Sequence, residues 1–259
     1  MNFVPPGILN IAYFSRLWRN MLQKIPLSKK DKLKGLHFPD EWNKELSYFC
    51  GILIGDGGIY YRKSKNEYYI KCAGNSKDEQ EFYNDIIFKM LKRIFGLTAE
   101  MRNFDYNTTY GFRIYSKALV LFLTGSLSLP YSPKYSNLSI PKKIKEDKIL
   151  LIHFLRGVFD TDGSFCFKKK YQNKPYYPVI AFSSKSESFT REISATLETY
   201  GFKIAPVYNY KLIDKRTKKG YTLINRIDLN GKENFRLWLK IIGTSQPKNK
   251  KKIQKYWKE

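Results

Sequence analysis

The sequence predicts an α+β fold built twice: two αββαββα repeats related by a pseudo-twofold axis, each with an antiparallel four-stranded sheet and helices on its opposite face. Three observations carry this. The segments "DEWNKELSYFCGILIGDG" (40–57) and "EDKILLIHFLRGVFDTDG" (146–163) both space apolar residues as an amphipathic helix does, and both end at Asp-Gly. The same succession of elements follows each of them. The 259 residues, 42% of them hydrophobic, suffice to bury two cores.

Each element has its own justification. After Asp56, "GIYYRKS" and "YYIKCAGNS" read as strands, and "KDEQEFYNDIIFKMLKRIFG" as a helix stopped by Gly96. The strands "TAEMRNF" and "YGFRIYS" and the short helix "KALVLFLTGSL" complete the first half. After Asp162, "GSFCFKKK" and "YPVIAFSSKS" repeat the hairpin, and "ESFTREISATLETYG" repeats the helix, stopped by Gly201. "KIAPVYNYK", "GYTLINRIDL" and the helix "KENFRLWLKIIG" follow. Both Asp-Gly glycines are placed to terminate their helices. A period this long excludes a solenoid. The expected divisions are an extension over 1–39, a first repeat over 40–140 and a second over 141–259. The Ser-, Pro- and Lys-rich stretch "SPKYSNLSIPKKIKED" links the repeats. Within the extension, "AYFSRLWRNMLQ" suits a helix and "PLSKKDKLKG" a basic loop.

Charge narrows the partner. There are 47 basic against 23 acidic residues, a net of +24. Such imbalance points to a polyanion, most often nucleic acid. Tyr and Phe, 20 and 18 of them, suit a surface that meets phosphates and bases as well as a core. Cys50, Cys72 and Cys166 are odd in number and scattered, which argues against a disulfide framework and a structural zinc site. No apolar run approaches membrane-spanning length, and the start lacks the pattern of a signal peptide. The expectation is a soluble, intracellular protein.

Within the duplicated helices, Gly51 and Gly157 occupy matching places and leave a helix face without side chains. Two such helices can pack backbone against backbone, with Gly55 and the small Thr161 continuing the seam. Their ends then bring Asp56 and Asp162 side by side. Two carboxylates at negative helix ends repel each other unless a cation joins them. An oxygen-rich site completed by phosphate and water suits Mg²⁺, and Mn²⁺ or Ca²⁺ can occupy the same place. Metal-bound water could then attack a phosphodiester. Neither histidine, His37 or His153, has a counterpart in the other half, so a histidine mechanism does not fit.

The nonapeptides "FCGILIGDG" (49–57) and "LRGVFDTDG" (155–163) resemble the LAGLIDADG motif of homing endonucleases. The two copies, each opening an αββαββα order, resemble the family's single-chain, two-repeat branch from Asp40 to the C-terminus. The resemblance implies that Asp56 and Asp162 are catalytic metal ligands and that positions Gly55 and Thr161 offer backbone carbonyls to the metal. It implies a lysine from each half near the scissile phosphates. Lys134 and Lys248, each after a proline, occupy corresponding places, with Lys142, Lys143 and Lys250 as neighbours. A polar residue ending the second strand would join a water network: Asn75 in the first half, Ser184 or Lys185 in the second. The motif's earlier acid is Asp160 in the second copy but Ile54 in the first, which makes the halves inequivalent.

Period-two alternation assigns the open faces of the sheets. Tyr60, Arg62, Tyr69, Lys71, Arg113 and Tyr115 should face outward in the first sheet. Lys168, Lys170, Arg226, Asp228 and Asn230 should do so in the second, with Cys166. A twisted, basic sheet of this kind can lie along the major groove of double-stranded DNA. The reading is therefore a monomeric, Mg²⁺-dependent endonuclease, intron-encoded, that makes a staggered double-strand break and requires no protein or membrane partner. A LAGLIDADG-type RNA maturase, or a nucleic-acid-binding protein that no longer cleaves, is the alternative. An intein would need a Cys or Ser at its start and an Asn at its end. Met1 and Glu259 favour a free-standing enzyme.

Overall fold

A computed structural model describes residues 18–169, 175–215 and 217–258. Helix α1 (Lys44–Ile54) starts at Asn43, whose side chain accepts the Leu46 N–H at 2.9 Å. It runs into the hairpin β1 (Gly57–Arg62) and β2 (Glu67–Asn75). A π-helical turn, Phe82–Ile87, leads into α2 (Phe88–Phe95), closed by left-handed Gly96. Strands β3 (Met101–Phe104) and β4 (Thr109–Tyr115) and helix α3 (Lys117–Leu121) end the first repeat.

The second repeat opens with α4 (Lys148–Thr161), capped by Asp147. It continues through β5 (Gly163–Lys169), β6 (Pro175–Ser184), α5 (Glu187–Thr199), β7 (Ile204–Ile213), β8 (Tyr221–Asn230) and α6 (Gly231–Ile241). The sheets have the same order, β1-β2-β4-β3 and β5-β6-β8-β7, and every pairing is antiparallel. The expected duplicated α+β fold is therefore the observed one.

The helix-facing side of each strand reads as the alternation predicts. Ile59, Ile70, Cys72, Phe112 and Ile114 are buried in the first half, and Phe165, Ile227 and Leu229 in the second. Trp238 fills the second core and lies 4.4 Å, centroid to centroid, from Phe159 of α4. Burial of such large aromatics, rather than helix propensity, is what holds α4 against its sheet.

Three features differ from the sequence reading. Gly57 and Gly163 do not stop the helices by a left-handed turn; they are the first residues of β1 and β5. Their requirement is steric, because a Cβ on Gly57 would stand 2.6 Å from the Leu53 Cα and one on Gly163 2.4 Å from the Phe159 carbonyl. The strand must double back against the helix it leaves. Second, the linker is packed rather than loose: Leu138, Ile140 and Ile144 are buried within it. Third, the basic C-terminal stretch forms a helix, α7 (Pro247–Lys258), anchored by Tyr256 stacked on Phe167 at 4.4 Å. Of the expected N-terminal helix, 18–23 are helical and the rest lies outside the described residues. Trp18 docks it on Trp42 and Phe122.

Candidate active site and nucleic-acid interface

The seam between α1 and α4 sets the site. A Cβ on Gly51 would stand 2.2 Å from the Phe154 carbonyl oxygen, and one on Gly157 2.3 Å from the Tyr48 carbonyl oxygen. No side chain fits there, so the backbones touch. Ser47 donates across the seam to the Leu150 carbonyl at 2.7 Å. At its end a Gly55 Cβ would stand 1.9 Å from Thr161 Oγ1 and 3.5 Å from the Asp162 carboxyl carbon. Asp56 and Asp162 follow immediately, one from each helix.

Both carboxyls have raised pKa values. One side of each meets solvent while packed protein crowds the other. That burial raises Asp56 well above the usual carboxylate range, and Asp162 and Glu79 add repulsion that Lys134 and a bond from Tyr83 only partly offset. Tyr83 donates to Asp56 Oδ2 at 3.3 Å. Asp162 is pushed up to about 6, again chiefly by burial, with Lys134 opposing and Glu79 adding. Two crowded acids that resist ionising together are what a divalent cation would relieve. Among the described residues, no three His, Cys, Asp or Glu side chains form a metal cage. The donors that fit are the hard oxygens of Asp56 and Asp162 with nearby backbone carbonyls, leaving positions for phosphate and water.

Lys134 is buried in the linker, and its Nζ donates to the carbonyls of Leu53 (3.0 Å), Gly55 (2.7 Å) and Gly57 (2.6 Å). It thus caps the C-terminal end of α1, where the helix dipole is negative. Burial lowers its pKa, while Asp162, Cys72 and Asp56 oppose that shift. The Gly55 carbonyl therefore already serves Lys134. Thr161 Oγ1 bonds back to the Gly157 carbonyl at 3.0 Å. Lys248 lies in the first turn of α7 and is ion-paired with Glu79 of the first repeat. The two lysines correspond in sequence but not in environment.

Asp160 is buried and accepts from Tyr48 OH (2.7 Å), from the Ser245 N–H (2.8 Å) and from the Thr244 hydroxyl. Burial raises its pKa against these bonds. It binds α4 to α1 and to the loop before α7, a structural place. Ile54 in the other copy is simply buried.

The open face of the first sheet is an aromatic and guanidinium layer. Tyr60 stacks on Tyr69 at 4.8 Å, and Tyr69 leans on Tyr115 at 5.3 Å. Arg113 lies over Tyr69 (5.2 Å) and Phe104 (5.5 Å), and Arg62 over Tyr69 (5.8 Å). Lys71 pairs with Asp105 at 3.0 Å. Tyr69 is buried beneath these neighbours. In the second sheet, Arg226 Nε donates to Asp228 at 2.8 Å. Asn230 ends β8, and its carbonyl accepts from Asn234 at 3.0 Å.

Other expected positions lie elsewhere. The Asn75 side chain accepts from the Lys77 N–H at 2.8 Å and so belongs to its own turn. Ser184 Oγ accepts from the Ser186 N–H at 3.2 Å, and Lys185 is exposed, over the Tyr135 ring. Lys168 pairs through its backbone with Tyr177; its side chain and Lys170 lie outside the described residues. Sequence reasoning missed Glu79, Tyr83 and Phe104. Glu79 lies in the segment after β2 and Tyr83 in the π-helical turn, and the packing of that stretch against the end of α1, invisible in the sequence, brings them to Asp56.

The fold and site define a class: a two-repeat α+β protein with a glycine-seamed helix pair presenting two acids between two basic sheets. Comparison with known proteins bears on the second repeat and on the fold. Residues 150–243 match the model of the LAGLIDADG-like domain. An uncharacterized protein of Methanocaldococcus jannaschii, MJ0398, is 31% identical over 46% of the chain, and the match spans 38% of that relative's length. I-DmoI in complex with DNA and Ca is similar in structure over 82% of this chain and 97% of its own, at TM-score 0.54 and 14% identity. Mesophilic variants of the homing endonuclease I-DmoI match over 77% and 95%, at TM-score 0.52 and 17% identity. The second repeat therefore contains a LAGLIDADG-like domain, and the chain shares the fold of the I-DmoI structures. No described helix is long and apolar enough to cross a membrane.

Proposed function

We propose that this protein is a monomeric, site-specific DNA endonuclease that hydrolyses one phosphodiester in each strand, leaving a staggered break, and that it serves intron homing. The observation that supports it most is the bare-backbone contact at Gly51 and Gly157, which sets Asp56 beside Asp162 with both pKa values raised. A hard divalent cation, Mg²⁺ in our reading, supplies a more acidic water and neutralises charge at the phosphate when bound. Asp56 and Asp162 hold and orient it from the two repeats. Lys134, beside both acids, offers positive charge toward the scissile phosphates while fixing the end of α1. The net charge of +24 supplies affinity for the phosphate backbone, and the open sheet faces supply base contacts. I-DmoI, whose fold the chain shares, is known in complex with DNA and Ca, which supports a DNA partner and a divalent ion here.

The test is the double substitution Asp56→Asn with Asp162→Asn. A target site is first selected from a randomised duplex library with the wild-type chain and Mg²⁺. The variant should bind that site with similar affinity and cut it at least about a thousandfold more slowly. Undiminished cutting would refute the mechanism. Binding to structured RNA with no DNA cutting by the wild type would favour a maturase.

A further inference from the structure

We infer that Glu79 is a positioning residue of the cleavage site, that it clamps Lys248 of the second repeat beside Asp56, and that it therefore acts on one DNA strand more than on the other. This rests on the proposed endonuclease function. Glu79 is buried, and each of its oxygens is engaged: Oε2 accepts the Asn75 N–H at 2.7 Å, and Oε1 pairs with Lys248 Nζ. The carboxylate stands against Asp56 across Gly74. A Cβ on Gly74 would be 1.8 Å from Glu79 Oε2 and 2.9 Å from Asp56 Oδ2, so only glycine leaves room for both acids. The contact joins the repeats, since Lys248 begins α7 at the far end of the chain. Lys251 repeats the reach one turn later and pairs with Glu81 at 2.5 Å.

The second repeat lacks this arrangement. Strand register places Ser184 where the first sheet has Gly74, because Gly57 pairs with Cys72 and Gly163 with Phe182. The chain between β2 and the next helix holds Ser76, Lys77, Asp78 and Glu79; between β6 and α5 it holds only Lys185 and Ser186. Among the described residues, the second repeat supplies no acid of its own at this place beside Asp162; the repulsion Asp162 feels from a neighbouring glutamate comes from Glu79 of the first repeat. A pseudo-twofold enzyme serves one scissile bond near each half, so a clamp present in one half bears on one bond. An ammonium held at a fixed place in that half can meet phosphate charge without first being ordered, which is the gain from preorganisation.

The test uses the full chain with Glu79→Gln and with Lys248→Gln, on a target whose two strands carry different labels. Each variant should slow one strand about tenfold more than the other and accumulate nicked duplex, with the same strand left intact in both. The double variant should be no worse than the more severe single variant, because the two residues act as a unit. Equal slowing of both strands, opposite strands in the two variants, or additive losses would overturn the inference. Thermal melting confirms that the variants fold. The clamp is also read without cleavage, by the rate of reductive methylation of Lys248. It should be slow in the wild type and faster in Glu79→Gln, and equal rates would overturn the clamp. A wild-type chain that cuts no DNA would overturn the function and the strand assignment together, leaving the methylation result to decide the clamp.

Discussion

The two repeats have one topology and two chemistries. At the same motif position the first has buried Ile54 and the second has Asp160, tied to Tyr48, Thr244 and Ser245. At the same place after a proline, Lys134 caps its own repeat's helix, whereas Lys248 crosses to the other repeat. The first sheet's open face is a stack of Tyr60, Tyr69 and Tyr115 under arginines; the second pairs Arg226 with Asp228 in the open. What the halves keep identical is the glycine seam and the two terminal acids. The duplication is held where two chains of atoms must touch and has diverged where each half meets something different.

The largest effect should come from breaking what is shared. Gly51→Ala or Gly157→Ala forces a methyl against a backbone carbonyl that cannot swing aside. We expect a loss of about 3 kcal/mol or more in stability by urea unfolding, with cleavage lost because the acids separate. Gly125→Ala is the control: a Cβ there meets nothing within 4 Å, and stability should change little. If the seam and the control variants behaved alike, the close packing would not be what holds the repeats together.

Making the halves alike should cost nearly as much. Asp160→Ile gives the second motif the residue of the first. It leaves the Tyr48 and Thr244 hydroxyls and the Ser245 N–H without their acceptor. Stability should fall by about 3 kcal/mol, measured the same way. A neutral result would mean that these donors find water, and that the inequivalence at this position is incidental.

How much of this was legible depends on what set each feature. The seam and the acids could be read because duplication repeats a local pattern: Gly51 and Asp56 recur as Gly157 and Asp162. Strand faces followed from alternation, so Arg113 and Ile114 fell on the correct sides. Glu79 could not be read, because it has no counterpart and its neighbour in space, Lys248, is far along the chain. Helix α7 was missed because its apolar contacts are sparse, Ile253 and Tyr256 among lysines, and its stability comes from packing on β5 and from ion pairs to the first repeat. Lys134 was placed by family resemblance. That it caps α1 depends on a linker fold that composition describes only as polar.

A smaller difference is expected at the sheets. Arg113 is held flat by Tyr69 and Phe104, so little freedom remains to be lost on binding, whereas Arg226 is exposed and its ion pair is with the half-buried Asp228. Arg113→Ala should weaken binding by about 1–3 kcal/mol, concentrated at one base pair of the target. Arg226→Ala should cost about 1 kcal/mol or less. Competition binding against a panel of single-base variants reads both. A loss spread evenly over all sequences would mean that the side chain touches phosphate rather than a base.

The smallest effect tests the shared acids through pH. The folded Asp162 titrates near 6 against an ordinary 3.8, so the folded state holds its proton more tightly than the unfolded one. Stability from this group is then fully present below about pH 4, falls as pH rises through the interval up to 6, and stays low above it. Asp162→Asn removes the cost of ionising a crowded carboxyl. In metal-free buffer at pH 7.5 it should stabilise the protein by about 1 kcal/mol, an amount reduced by water screening of the exposed side of the group. At pH 4 the variant and wild type should unfold alike. Adding Mg²⁺ at pH 7.5 should reverse the order by stabilising the wild type more than the variant, since a bound cation offsets the repulsion that the substitution only deletes. A variant that loses stability at pH 7.5 without metal would show that Asp162 is held by favourable partners, and the two acids would then not be under strain awaiting a cation.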